Sequence, residues 1–161
     1  MPPKKAAAES TPKQNTSSCV SAKFPKTVRD FWENLAWSDI NDKFGTKTMQ
    51  RGRDYANSGN VQSLWATEDG KNLLGIVLGT EEYQTLVTLE NGKRKDQFLL
   101  SSSCSCPVGC NCKHGVAVIG KFLDKLAKNE AILPCVELKE DTWEITSATG
   151  KKSTLKIDFQ S

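Results

Sequence analysis

Apolar residues recur at helical spacing in three stretches of the chain and alternate at strand spacing in the rest. Val28, Phe31, Trp32, Leu35 and Ala36 return at intervals of three and four after Pro25 and Thr27, which predicts an amphipathic helix. A second short helix is predicted over Asp39–Phe44. A third runs from Thr46 as N-cap through Met49, Arg51, Arg53 and Tyr55 and stops at Asn57-Ser-Gly59. Gly52 inside that helix costs about 1 kcal/mol relative to Ala, so its presence implies a close approach by a neighbour. Val61–Thr67, Leu73–Leu78, Tyr83–Leu89 and Lys95–Ser103 read as strands, separated by turn signals around Gly70, Gly79 and Asn91-Gly92. Together they predict an antiparallel meander. Val116, Ile119, Phe122, Leu123 and Leu126 then form a helical stripe opposite Lys121, Asp124, Lys125 and Lys128. The alternating segments Trp143–Thr146 and Thr154–Phe159, on either side of Gly150, predict a terminal hairpin. The fold class is α+β: a small meander with flanking helices.

Between the fourth strand and the striped helix lies the densest chemistry of the chain, Cys104-Ser-Cys106-Pro-Val-Gly-Cys110-Asn-Cys112-Lys-His114. It holds four of the six cysteines and the one histidine. Thiolate and imidazole are the donors a tetrahedral structural Zn²⁺ prefers. Residues two apart on an extended strand point to the same side, so Cys104 and Cys106 can grip one ion. On a helix such residues diverge, which places Cys112 on the turn and His114 in the first helical turn. The ion would join a strand end to a helix start. Five candidate ligands for four positions leave one spare, and a site using Cys110 in place of Cys104 or Cys112 is the rival arrangement.

Cys-x-Cys, five residues, Cys-x-His, with Pro107 after the second cysteine and an apolar helix following, resembles the SWIM-type zinc finger. Arg51–Val61 is similar to the segment that precedes this finger in bacterial helicase-associated proteins, and Tyr83 falls where that family has a strand tyrosine. The likeness covers about residues 46–128. It implies Zn²⁺ held by Cys104, Cys106, Cys112 and His114, with Cys110 left out. It also implies a DNA-binding or protein-binding accessory role, with a Swi/Snf-type helicase-like ATPase as the protein partner. The gap between the ligand pairs is at the short end of the family's range, and Cys110 within it is an extra thiol.

Catalysis finds no residues to carry it. No Glu stands in the cluster as a general base, the protein donors suffice to close the metal's coordination, and Cys-x-x-Cys does not occur. Five positions before Gly150-Lys-Lys-Ser153 stands Ile145, so no phosphate loop is formed there. The expectation is a non-enzyme with neither a small-molecule substrate nor a membrane partner. With no apolar signal segment at the start, thiols are expected free in a reducing, cytoplasmic setting.

Charge divides the chain. Of its 22 basic and 19 acidic residues, Lys4, Lys5, Lys13, Lys23 and Lys26 and a single acid, Glu9, fall in residues 1–26; the remaining 135 residues carry 17 basic and 18 acidic groups. The start is rich in Pro, Ala, Ser, Thr and Lys, a composition predicting a disordered basic tail able to meet phosphate without sequence preference. Lys93-Arg94-Lys95 at the Asn-Gly turn is the compact basic group of the folded body, and with Lys113 supplies the candidate nucleic-acid contacts. The organisation expected is a tail over 1–23, a helical segment over 24–45, a SWIM-like domain over 46–130 and a hairpin extension over 131–161. The abrupt end after the last strand suggests a fragment or the start of a linker, and the lack of room for a helicase motor suggests a stand-alone adaptor or an N-terminal piece of something longer. Cys135 reads as a buried or free thiol.

Overall fold

A computed structural model describes residues 20–94, 97–139 and 141–157. The basic tail through Cys19 lies outside the described residues. Val20–Lys23, expected as its end, instead form a 3₁₀ turn with Val20 buried and its N–H bonded to Ile132 O at 3.0 Å.

The helices are α1 (Lys26–Asn34), α2 (Trp37–Phe44), α3 (Thr46–Asn57) and α4 (Lys113–Ala127); the strands are β1 (Val61–Ala66), β2 (Asn72–Leu78), β3 (Glu82–Asn91), β4 (Phe98–Cys104), β5 (Leu133–Lys139), β6 (Thr142–Thr146) and β7 (Lys152–Lys156). The helix expected at Asp39 starts at Trp37, because the Asp39 carboxylate accepts the Ala36 N–H at 2.9 Å and caps the turn before it. Thr46 is the first residue of α3; Gly45, at φ +91°, takes the N-cap and also ends α2. The expected fourth strand begins at Phe98, since Lys93 and Arg94 belong to the turn.

The strands form one sheet in the order β4-β3-β2-β1-β5-β6-β7. β1 through β4 are the antiparallel meander. β5, which periodicity missed, lies parallel to β1 through Trp65↔Leu133 and Ala66↔Pro134, and so attaches the terminal hairpin to the sheet. Proline lacks an N–H to donate, so Pro134 argues against a strand in the sequence and is tolerated at this short seam.

Neighbouring strand residues face opposite sides of the sheet. Leu64, Ala66, Leu73, Val77, Val87 and Leu89 pack under α1 and α4 with Trp32, Val116, Ile119 and Phe122. Trp65 and Leu74 face the other way and meet Cys135, Trp143 and Ile157. Trp32 has its indole N–H on Gly70 O at 2.8 Å and its ring edge-on to Phe122 at 4.9 Å, which puts it at the centre of this core. Gly52 admits Val116 of α4 against α3, where a Cβ would stand 2.7 Å from Lys113 O; this is the approach its position implied. α4 is thus pressed between α3 and the sheet, which sets where its N-terminus meets the end of β4.

Candidate metal centre

β4 ends at Cys104, and an eight-residue loop returns the chain to the start of α4. Asn111, in the left-handed region at φ 47°, clamps that loop to the strand edge: its N–H donates to Ser102 O at 3.0 Å, and its Oδ1 accepts the Ser102 N–H at 3.1 Å. Asparagine visits this conformation more readily than other side chains with a Cβ. Cys104 N–H donates to Gly109 O at 2.8 Å, and Ser105 is tied to Gln84 of β3 through both its N–H and its hydroxyl. Cys112 takes the N-cap of α4 with extended φ/ψ, and His114 sits in the first turn.

These bonds bring Cys104, Cys106, Cys112 and His114 together. All four are buried, with ligand atoms within 4.8 Å of one another. His114 Nδ1 lies 3.6 Å from Cys104 Sγ and 3.5 Å from Cys112 Sγ. A tetrahedral zinc with Zn–S near 2.3 Å and Zn–N near 2.0–2.1 Å has an S···N edge of about 3.6 Å, which these two His114 contacts match. The donor set is Cys₃His and forms a zinc-binding site that bridges the end of β4 and the start of α4. Cys110 is exposed, paired through its backbone with Ser103, and stands outside the cluster.

The surroundings are ordered for the charged form. Without metal, hydrogen bonding to Cys112 and burial push the Cys104 thiol up. Cys112 is pulled down by its bond from Cys104, by His114 and by the Gly115 N–H at the helix start. The Thr85 hydroxyl lies 3.3 Å from Cys104 Sγ. Tyr83 packs on the imidazole at 4.7 Å between ring centroids, and Tyr55 meets it edge-on at 5.6 Å. His114 Nδ1 is the ring nitrogen that faces both sulfurs, while its buried Nε2 has no hydrogen-bond partner among the described residues. Thr85 and Asn111 escaped sequence reading. Thr85 stands 19 residues from its sulfur; Asn111 carried the one available signal, an Asn in a tight loop.

The basic candidates separate. Lys93 and Arg94 are exposed at the β3–β4 turn, and Lys95 lies outside the described residues. Lys113 is at the opposite end of β4, about 20 Å along a seven-residue strand. Its ammonium sits 4.9 Å over the Tyr55 ring. Arg53 lies 4.8 Å over the Trp37 ring, and Glu68 pairs with Lys23 at 3.6 Å. No described helix is long and apolar enough to cross a membrane.

No family model, curated protein or solved structure matches this chain. What stands from its own coordinates is a small α+β module with a buried Cys₃His zinc site.

Proposed function

We propose that this chain is a non-enzymatic accessory module of the SWIM type, whose zinc is structural and whose work is to bind nucleic acid. The observation that carries the structural role is the donor set: four buried protein ligands with donor atoms within 4.8 Å of one another suffice to fill the four positions of a zinc ion. A metal so enclosed stabilises a surface and does no chemistry on a ligand. The lysines of residues 1–26 support a polyanionic partner. The resemblance of the Cys-x-Cys and Cys-x-His pairs adds the finer proposal of work beside a Swi/Snf-type helicase-like ATPase, in the reducing interior where free thiols persist.

A second reading is protein docking without nucleic acid. A groove of about 590 Å³ between α1, α2 and β4 is walled by Phe31, Leu35, Phe98 and Leu99, the last 52% exposed. An apolar partner segment fits such a surface.

Elemental analysis of purified protein, followed by titration of a mixed-sequence duplex at 50 and 200 mM salt, separates the readings. One zinc per chain with binding that weakens steeply in salt is the expected result. One zinc without duplex binding would move the partner to protein. Substitution by cobalt(II) giving a five-coordinate, water-bearing spectrum would overturn the closed site and reopen catalysis.

A further inference from the structure

The hairpin cations, separated from Lys113, have another partner that sequence spacing hides. Lys71, just before β2, stands across β3 from the β3–β4 turn: its ammonium bonds Asn91 Oδ1 at 3.2 Å and lies 5.8 Å from the Phe98 ring. Lys71, Lys93 and Arg94 line a common groove of about 450 Å³ with Phe98 and with Pro25 and Thr27 at the start of α1. Among the described lining residues none is acidic, and none of the three cations is in an ion pair with a described carboxylate. By contrast the apolar groove beside it carries Asp30 and Asp39 against Lys43. Lys95 and Asp96, outside the described residues, cancel formally.

The turn that presents these charges is braced. Gln97 closes it with its O accepting the Gly92 N–H at 2.7 Å, its N–H donating to Arg94 O at 3.1 Å and its side-chain Oε1 accepting the Arg94 N–H at 3.1 Å. Lys93 and Arg94 therefore project from an ordered backbone.

We propose that this groove is the nucleic-acid backbone site of the module, with Lys71, Lys93 and Arg94 each meeting phosphate. The inference rests on the nucleic-acid reading and assigns its place: the turn end of the hairpin, away from the metal. Its recognition is of charge and spacing, without base readout.

The test is fluorescence anisotropy of a labelled mixed-sequence duplex with the zinc-loaded full chain. With a slope of about −0.9 per phosphate contact, three contacts account for roughly a 40-fold loss of affinity between 50 and 200 mM salt. Lys71→Ala/Lys93→Ala/Arg94→Ala is expected to flatten the slope by about 2.7. Lys151→Ala/Lys156→Ala, which removes two cations from the far hairpin, is expected to leave it nearly unchanged. The side chains of Lys93 and Arg94 are exposed, so Lys93→Glu/Arg94→Glu, checked for zinc content, gives a folded second variant that should bind more weakly still. Wild-type protein that ignores the duplex overturns the nucleic-acid reading itself. Wild-type binding that survives unchanged in the triple variant, or falls equally in the far-hairpin control, overturns the groove alone. Competition by inorganic phosphate or a mononucleotide at duplex-like concentration would mark a free-phosphate pocket and overturn the polymer assignment.

Discussion

The two ends of the β3–β4 hairpin are built from opposite materials. At the Cys104 end, hydrogen bonds of Asn111, Cys104 and Ser105 fold the loop and bury four ionisable metal donors against one another. At the turn end order comes from neutral bonds of Gln97 to the backbone, and Lys93 and Arg94 are exposed with no ion pair to a described carboxylate. One end consumes its charge in folding, and the other keeps it for a partner. The lesson is that clustering of charged or ionisable residues has two meanings, told apart by burial.

The strongest way to break the contrast is to remove a ligand. His114→Ala or Cys106→Ser should lose zinc and more than about 3 kcal/mol of stability, since structural zinc contributes roughly 10–16 kcal/mol in finger peptides; elemental analysis and urea unfolding measure both. A folded variant retaining one zinc would show that the cluster is not the binding site. Next comes Gly115→Ala. A Cβ there meets the Ser102 hydroxyl and stands 2.7 Å from Ser102 Cβ, so α4 must back away from β4 at about 1–3 kcal/mol. Ser102→Gly in the same chain should recover part of that loss in thermal unfolding.

A third test uses the core that neither end reaches. Burial, aided by the charge of Asp69, pushes the Cys135 thiol up to about 12 from an ordinary 9. The native state therefore holds this proton after the unfolded chain has lost it. Its contribution is intact below pH 9 and is lost as pH rises toward 12, about 1.4 kcal/mol being gone by pH 10. Cys135→Val should remove that part of the alkaline limb of a stability-against-pH curve. At the turn, Gln97→Ala is expected to cost about 1 kcal/mol with zinc content unchanged, because it takes away one hydrogen bond and no ligand. Smallest of all, Cys110→Ala should stay within about 0.5 kcal/mol of the parent and bind one zinc. Loss of metal in that variant would mean that the exposed thiol exchanges into the cluster.

Much of this was legible. The striped residues from Val116 to Leu126 gave α4, the alternation from Val61 to Leu89 gave the meander, and two ligand pairs two residues apart gave the metal. Each is a local pattern, with its signal inside a dozen residues. The rest depended on residues distant in the chain. β5 was hidden because Pro134 demotes a strand and its neighbour β1 is 68 residues earlier at the Trp65↔Leu133 pair. Lys71 was invisible as a partner of Lys93 until β3 was laid between them. Thr85 needed the β3–β4 register to meet Cys104. Val20 was assigned to the tail by composition, whereas its side chain is buried in the core and its N–H bonds the distant Ile132 O.

The parallel seam between β1 and β5 has a kinetic meaning. Two residue pairs, one of them on a proline, give it little backbone ladder, so the C-terminal strands are held to the sheet chiefly by Trp65, Cys135 and Trp143. Closing it requires the chain from Trp65 onward, α4 included, to have folded back first. β5 to β7 form the last cooperative unit to lock and the first to open, so their amide hydrogens should exchange ahead of those of β2 and β3.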